Sequence, residues 1–291
     1  MPPTDRVPLT AAVGQFAAGT DVAENLRRIE ELARSAAAAG AELVVFPEAS
    51  MYAWDAPAEE LATAARDHGK RFVDGLSEIA ARARMTLVAG EFADSDGDLP
   101  YNRLVVVTPD GRVAGSYDKV HLYDAFAWRE SGKVAAAETH PDLSELCIVP
   151  VGDFTLGLLN CYDLRFPEMA RALVDRGTDV LVVSAAWVAG PRKELHWEVL
   201  LRARAIENTC YVLAACQPPP RSVGMSMIID PLGAVAASCV AHEGVALHRL
   251  DPGHLADVRD ILPALRHRRY RVTAAAASVG DQPLAFSGET P

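Results

Sequence analysis

The stretch AGAELVVFPE, residues 39–48, holds the end of one secondary-structure element and the whole of the next. Gly40 is typical of the residue that follows the last turn of a helix. An apolar run from Leu43 to Phe46 then ends at Pro47. Such a short run is typical of a strand that is buried on both faces, in a sheet that helices cover. The stretch therefore predicts a helix followed by a buried strand.

A second stretch, RGTDVLVV at residues 176–183, repeats this pattern. In both stretches a glycine precedes the apolar run by three residues, Gly40 before Leu43 and Gly177 before Val180. Two similar halves of helices and buried strands explain the repetition and place the chain in the α/β class. Because no linker separates the halves, we expect one domain over residues 1–291, with its core at about 6–275 and a mobile tail at 278–291.

Helical periodicity and turn signals predict the other elements. Helices are expected at residues 21–40, 71–84, 167–177 and 194–208, and strands at 86–92, 104–108, 112–117, 154–159, 179–186, 211–215 and 225–229. In the helix at 194–208 we expect four apolar residues to face inward: Leu195, Leu200, Leu201 and Ile206.

Composition narrows the class of protein. The 291 residues carry 28 Lys and Arg against 39 Asp and Glu, which gives a net charge of −11. An acidic chain is a poor nucleic-acid binder, because phosphate contacts need clustered cations. No apolar run approaches the roughly 20 residues of a membrane span, and the N-terminus lacks the apolar stretch of a secretory signal. We therefore expect neither a nucleic-acid partner nor a membrane partner.

The five cysteines are odd in number and show no C-x-x-C spacing. This pattern predicts neither a disulfide framework nor a zinc site. Free thiols persist in a reducing compartment, so we predict a cytoplasmic location.

Three predicted strands end beside reactive side chains. Residues 43–46 lead to Glu48, residues 112–117 to Lys119 and residues 154–160 to Cys161. Strand ends are where α/β proteins usually place functional groups. The non-catalytic alternatives are that Glu48 is a surface carboxylate, that Lys119 is a solvated lysine and that Cys161 is a thiol packed in the core.

A carboxylate, an ammonium group and a thiol form a coherent set for covalent catalysis. A free thiol has a pKa of about 8.5, and a nearby cation or base activates it. Lys119 would then hold the thiolate of Cys161 and stabilise a negative oxygen, while Glu48 takes and returns the proton. The set predicts amide hydrolysis through a thioester, without a metal.

These residues lie in segments that resemble a known family. FPE at 46–48, YDKVHL at 117–122 and NCYDLRFPE at 160–168 resemble the three signature segments of the nitrilase, or carbon–nitrogen hydrolase, superfamily. Further similar segments are AW at 186–187, RARAIEN at 202–208, GMS at 224–226 and DPLG at 230–233. They follow the family order over most of the chain.

The resemblance implies a Glu48–Lys119–Cys161 triad, with Glu48 as general base and Cys161 as nucleophile. Family members often carry a second carboxylate after the lysine segment, and Glu130 fits that position. The implied fold is a four-layer αββα sandwich of two mixed sheets flanked by helices, which pairs across subunits as a homodimer or higher homo-oligomer. No cofactor or metal is implied.

Tyr162 and Asp163 after the cysteine resemble the amidase side of the superfamily, because nitrile-cleaving members usually have Trp-Glu there. The surrounding segments resemble the Nit group, which contains ω-amidases and deaminated-glutathione amidases. The implied function is metal-independent hydrolysis of a small, carboxylate-bearing amide to a carboxylate and ammonia. The alternatives are an N-carbamoyl amino acid or ureido amidohydrolase, a nitrilase, and a non-catalytic scaffold.

Four residues are candidates for substrate binding: Tyr52, Tyr162, Arg165 and Trp187. Arg165 is the natural partner of a substrate carboxylate, with an ion pair to Glu168 as the alternative. Tyr52 and Trp187 would line the pocket or pack in the core. His121 is not expected to take part, since the family places Lys119 in the site.

Overall fold

The computed structural model describes residues 6–126 and 128–273 of the chain, so the predicted tail at 278–291 lies outside the described residues. The strands are β1 (Leu9–Gln15), β2 (Leu43–Val45), β3 (Thr86–Ala93), β4 (Tyr101–Val107), β5 (Val113–Asp118), β6 (Asp124–Ala125), β7 (Trp128–Arg129), β8 (Ile148–Val151), β9 (Phe154–Asn160), β10 (Val180–Ala185), β11 (Tyr211–Cys216), β12 (Met227–Ile229), β13 (Val235–Ser238) and β14 (Gly244–Leu250). The helices are α1 (Val22–Ala38), α2 (Ala58–Ala83), α3 (Pro167–Asp175), α4 (Lys193–Asn208), α5 (Pro252–Ile261) and α6 (Ala264–His267).

Two six-stranded sheets have the same internal plan. One has the order β14-β1-β2-β3-β4-β5 and the other the order β8-β9-β10-β11-β12-β13. In each sheet the second, third and fourth strands are parallel, and the flanking pairs are antiparallel. Strands β2 and β10, which follow the repeated glycine pattern, occupy the same place in their sheets. Gly40 and Gly177 both have left-handed φ angles, of +87° and +95°. The predicted repetition is therefore confirmed.

The two sheets pack face to face between layers of helices. Leu43 and Val45 of β2 point into a core shared with β9, β10 and β11, whereas Val44 points into a second core with α1 and α2. Helices α3 and α4 cover the other face of the second sheet, and Leu173 and Leu201 pack against that face. The alternation of side chains along a strand produces this division. The predicted four-layer αββα sandwich is confirmed.

Helix α2 begins at Ala58, well before the predicted start at residue 71. Its first turns bury Leu61 but otherwise bury alanines, among them Ala64 and Ala65. Alanine has high helix propensity but too little apolar surface to mark one face of a helix clearly. The sequence pattern therefore missed the first half of this helix.

The expected inward face of α4 is partly wrong. Leu201 is buried, but Leu195 and Ile206 are exposed by 57% and 45%, and Leu200 is half-buried. Arg204 faces inward instead, because its guanidinium donates to the carbonyl of Leu164 at 2.7 Å. Arg204, which has a fixed hydrogen-bond partner, thus occupies a position on the inner face of α4 where hydrophobicity alone predicts an apolar residue.

The turn after β2 carries Glu48, and a close approach of the backbone supports it. Ala49 has a left-handed φ of +52°. Gly90 of β3 lies directly beneath the turn, and a Cβ atom there would be 2.4 Å from the Ala49 nitrogen. The Gly90 N–H donates to the Pro47 carbonyl at 3.2 Å, and the Met51 N–H donates to the Gly90 carbonyl at 3.1 Å. Only glycine fits between these two segments of backbone.

Gly90→Ala is therefore expected to lower the free energy of unfolding by about 3 kcal/mol, the upper end of the range for overpacking, because backbone atoms cannot move aside. Urea unfolding measures the change. Gly97→Ala is the control, since its nearest neighbour is the Ser95 hydroxyl at 3.7 Å, and its effect should stay within about 0.5 kcal/mol. Equal stability of the two variants would contradict the role given to Gly90.

Candidate active site

Glu48 is buried, and both of its carboxylate oxygens accept hydrogen bonds. Oε1 accepts from the Lys119 ammonium at 2.7 Å and from the Asn102 side-chain amide at 2.8 Å. Oε2 accepts from the backbone N–H of Ala186, which follows β10, at 2.8 Å. Both sheets therefore hold this carboxylate, which is fixed in place rather than solvated.

Lys119, directly after β5, is 1% exposed and lies between two carboxylates. Its Nζ is 2.7 Å from Oε1 of Glu48, and 2.8 and 2.9 Å from the two oxygens of Glu130. Glu130 begins a short 3₁₀ turn, Glu130–Gly132. Its Oε2 also accepts a hydrogen bond from the backbone N–H of Tyr123 at 2.6 Å. The structure thus brings Glu130 to the place that the sequence predicted. The cluster of these three charges has a net charge of −1.

Asn102 of β4 joins this cluster and was missed at the sequence level. Its Nδ2 donates to Glu48 at 2.8 Å and to Glu130 at 3.0 Å, while its Oδ1 accepts from Asn160 at 2.9 Å. Asn102 shares its face of the strand with Leu104 and Val106, which point into the core between the sheets. The position of Asn102 on the core-facing side of its strand could have revealed it, because a buried amide needs hydrogen-bond partners.

Cys161 follows β9 and opens the 3₁₀ turn Cys161–Arg165 with a left-handed φ of +50°. Non-glycine residues adopt this conformation only when their surroundings impose it. The buried carboxylate of Asp163 does so. It accepts from the backbone N–H of Asn160 at 2.9 Å and from the hydroxyl of Tyr117 at 2.7 Å.

His121 contacts the same carboxylate and not the thiol. Its Nδ1 is 2.8 Å from Oδ1 of Asp163, and its ring stacks on Phe166 with centroids 3.8 Å apart. His121 lines neither of the cavities that contain Cys161. The structure therefore places His121 beneath the turn, where it supports Asp163.

The charges around Cys161 favour a neutral thiol. Burial raises the pKa of the Cys161 thiol, and the Glu48 charge raises it further against the opposing effect of Lys119. Burial alone would raise the pKa of Glu48, but the Lys119 charge and hydrogen bonds from Lys119 and the Ala186 N–H lower it. Burial opposes the charged form of Lys119, but Glu130 and Glu48 raise its pKa well above the usual value. Burial and the carboxylates of Glu48 and Glu130 therefore oppose the thiolate form of Cys161, whereas the charge of Lys119 favours it.

Cys161 lies where two cavities adjoin. The larger, of about 430 Å³, contains the charged residues Glu48, Lys119, Glu130 and Lys133, with an apolar wall that includes Trp54, Leu61, Phe92, Trp128 and Val134. The smaller, about 220 Å³, contains Tyr162, Arg165, Trp187 and Lys193. Cys161, Tyr123 and Val188 line both. A small molecule at the sulfur can therefore extend to either side.

Comparison with known proteins agrees with this geometry. The family model described as carbon–nitrogen hydrolase matches residues 10–260. This chain belongs to the carbon–nitrogen hydrolase family.

Relatives and solved structures place this carbon–nitrogen hydrolase in the amidase group of the nitrilase superfamily, as the sequence predicted. A deaminated glutathione amidase of Escherichia coli O157:H7 is 36% identical over 262 residues, which are 90% of this chain and 98% of the relative. The NitFhit protein of C. elegans matches with a TM-score of 0.82 and 29% identity, over 91% of this chain and 66% of that longer chain. A mutant amidase from Nesterenkonia sp. AN1 matches with a TM-score of 0.77 and 25% identity, over 90% of this chain and 94% of that chain, and shows covalent addition of the acetamide moiety of fluoroacetamide at its active-site cysteine.

Arg165 of this carbon–nitrogen hydrolase lines the smaller cavity. Its guanidinium carbon lies 4.7 Å from the ring centroid of Trp187 and 6.0 Å from that of Tyr162. Nε and one terminal nitrogen of Arg165 are buried and have no hydrogen-bond partner among the described residues. No ion pair among the described residues joins Arg165 to Glu168, so the structural alternative is not observed.

Lys193, at the start of α4, is a second cation in the smaller cavity that sequence reasoning missed. Its Nζ donates to the Tyr123 hydroxyl at 2.7 Å and lies 4.1 Å from the ring centroid of Phe126. Burial lowers the pKa of Lys193, and the charge of Arg165 lowers it further. The side chains that line this cavity include no carboxylate. Two positive charges therefore face one small space without an anion.

Tyr52 lies away from both cavities, which corrects its assignment to substrate binding. Its hydroxyl is 3.3 Å from a Glu60 oxygen, and it borders a separate surface cavity. The left-handed conformation of Ala49 turns the chain after Glu48, and the Asn25 side chain then holds the Met51 carbonyl at 2.8 Å. This anchoring directs Tyr52 toward α2.

Two features are absent from residues 6–126 and 128–273. No group of three or more His, Cys, Asp or Glu side chains within that part of the chain is placed to hold a metal ion. No helix found there has the length and apolar character that crossing a membrane requires.

Proposed function

We propose that this carbon–nitrogen hydrolase cleaves small amides with Cys161 as nucleophile, Glu48 as proton carrier, and Lys119 and Glu130 as charged supports. The observation that carries the proposal is the convergence of Glu48, Lys119 and Cys161 on one cavity, from strand ends distant in sequence. The Nesterenkonia amidase with an acetamide moiety on its active-site cysteine supports covalent chemistry at the matching kind of residue.

The reaction follows from the resting charges. The Cys161 sulfur attacks the amide carbon as its proton passes to Glu48, and the carbonyl oxygen becomes negative. Lys119 stabilises that oxygen by its charge, together with the backbone N–H of Tyr162. Glu48 then gives its proton to the departing nitrogen, which leaves a thioester on Cys161. Water attacks the thioester and Glu48 takes one of its protons. The intermediate then releases a carboxylic acid as Glu48 returns that proton to the sulfur, and the acid loses its remaining proton to the released ammonia.

The smaller cavity supports an acyl group that carries a carboxylate. Arg165 and Lys193 face this space without a carboxylate side chain among its lining residues. A buried cation is costly unless an anion compensates it, and guanidinium groups bind carboxylates in a bidentate fashion. The leaving nitrogen then points into the larger cavity, where Glu48 can protonate it. The deaminated glutathione amidases among the relatives support an amide substrate of this general kind.

An N-carbamoyl amino acid is the second candidate. It also carries a carboxylate, so the same pair of cations favours it. In that case the carbamoyl carbon would sit on Cys161, and ammonia and CO₂ would be released.

We infer a homodimer from the outer face of α4. Leu195, Val199 and Ile206 are exposed by 57%, 52% and 45% and form one stripe along the helix. Apolar stripes of this kind are typical of protein interfaces. We further propose one domain over residues 1–291, since the two sheets share a core, and a reducing cytoplasmic location, since all five cysteines are free.

Cys161→Ala is expected to abolish amide hydrolysis while the protein stays folded, because the nucleophile alone is removed. Intact-protein mass spectrometry of the wild type with a panel of ω-amides and N-carbamoyl amino acids should show an acyl adduct on Cys161 and identify the acyl group. Lys119→Ala should lower kcat by at least about 100-fold, and His121→Ala by much less. Full activity of Cys161→Ala would rule out the proposed reaction.

Arg165→Gln and Lys193→Gln should each raise KM for a carboxylate-bearing amide by about tenfold or more, since loss of one partner of a buried charge pair costs about 2 kcal/mol. The matched methyl ester of the same amide should be affected far less, because it lacks the charge. Arg266→Gln, at an exposed arginine on α6, is the control. Equal losses on acid and ester would contradict a carboxylate site.

Leu195→Glu combined with Val199→Glu should convert the protein to a monomer in sedimentation velocity at micromolar concentration, because two buried charges oppose association. Val113→Glu, on the far edge strand β5, should leave the dimer intact. A wild type that sediments only as a 31.2 kDa species would contradict the inferred dimer.

A further inference from the structure

We propose that Asn102 is a positioning residue that fixes how Lys119 is shared between the two carboxylates and directs the catalytic proton to one oxygen of Glu48. The inference rests on the proposed function, because it assumes that Glu48 carries the proton of Cys161.

The contacts form a closed ring of four polar groups. Lys119 Nζ and Asn102 Nδ2 each donate to Oε1 of Glu48, at 2.7 and 2.8 Å. The same two nitrogens each donate to Oε1 of Glu130, at 2.8 and 3.0 Å. Both hydrogens of the Asn102 amide are therefore used, one on each carboxylate.

This ring leaves one place on Glu48 for a proton. A carboxylate oxygen has two lone-pair directions, and two N–H donors occupy both directions at Oε1. Among the described backbone groups and amides, Oε2 accepts from the Ala186 N–H at 2.8 Å, which leaves its other direction for the Cys161 thiol. The proton that leaves the sulfur therefore goes to Oε2, and the proton that reaches the leaving nitrogen comes from Oε2.

Asn102 also separates two like charges. Glu48 and Glu130 share one ammonium, and a neutral donor between their oxygens lowers the repulsion that Lys119 alone must offset. The titratable groups that share a cavity with Glu48 are Lys119, Glu130, Cys161, Tyr123 and Lys133. The remaining contacts of Glu48 are neutral, from Asn102 on β4, the Ala186 N–H after β10, and Gln217 after β11.

The other end of Asn102 connects the ring to the nucleophile. Its Oδ1 accepts from Nδ2 of Asn160 at 2.9 Å, and Asn160 immediately precedes Cys161. The backbone N–H of Asn160 is in turn held by Asp163 at 2.9 Å. Asn102 thus sets the orientation of the base and contacts the residue that leads into the nucleophile turn.

Asn102→Leu, of similar size but without donors, tests the proposal through the pH dependence of kcat/KM. Loss of a donor to the charged form of Glu48 raises its pKa, so the rise of activity at acid pH should move upward by about one pH unit. We expect kcat to fall by at least about tenfold with KM nearly unchanged. Asn102→Ser, which can donate to only one carboxylate, should give a smaller shift in the same direction.

Two controls separate positioning from general damage. Asn160→Ala removes only the contact to Oδ1 and should leave the acid limb in place. Asn208→Ala removes another buried amide, whose Nδ2 donates to the Arg204 carbonyl at 2.9 Å, and should leave the pH profile unchanged. If Asn102→Leu does not fold, the position of the acid limb in Asn102→Ser tests the proposal. An acid limb within about 0.3 pH units of the wild type in the folded variant would overturn the proposal.

A second readout does not depend on turnover. The rate of Cys161 alkylation by iodoacetamide, followed by peptide mass spectrometry, should fall in Asn102→Leu at each pH, because the carboxylate charge near the thiol is less well compensated. Cys239, which is only partly buried, is the internal reference. Absence of amide hydrolysis in the wild type would refute the proposed function, whereas unchanged alkylation would refute the role of Asn102.

Discussion

The structure of the site depends on one buried ammonium group shared by two carboxylates. Removing charges from water is expensive, and the arrangement is tolerable only while all three charges stay together and their remaining hydrogen-bonding capacity is used. Lys119, Glu48 and Glu130 meet this condition with the help of Asn102 and the backbone of Ala186. This requirement explains why β2, β4, β5 and β10 must all end or pass at the same place. The two-sheet sandwich supplies that convergence.

A further buried carboxylate, that of Asp163, holds the turn that begins at Cys161. Asp163 accepts from the Asn160 backbone, His121 and Tyr117, and so fixes a turn in which Cys161 has a left-handed backbone. Arg204 holds the end of the same turn through the Leu164 carbonyl. Because these supports come from other parts of the chain, the strain at Cys161 is offset outside the catalytic cluster. The histidine near a reactive cysteine is thus part of the scaffold.

Local sequence patterns predicted the α/β class and drew attention to three strand ends, and the resemblance to a family implied the four-layer sandwich. A glycine before a buried strand marked each half, and strand ends marked Glu48, Lys119 and Cys161. The partners of Asn102 are 54 and 28 residues away, so no local pattern revealed its contacts. The protonation of Cys161 depends on the net charge of the cluster, which only the three-dimensional positions give. The outward stripe of α4 was misassigned because Arg204 competes for the inner face through a hydrogen bond that periodicity does not contain.

The two cavities beside Cys161 differ in charge, and this difference orients a substrate. The larger is lined by two carboxylates and two lysines, whose formal charges cancel, whereas the smaller presents Arg165 and Lys193. In a site shielded from water, charges act over longer distances than in solution, so a carboxylate is attracted more strongly to the smaller cavity than to the larger one. An amide anchored by its carboxylate then presents its carbonyl carbon to the sulfur and its nitrogen to Glu48. In the proposed reaction, the two cations of the smaller cavity therefore select the direction in which the substrate binds.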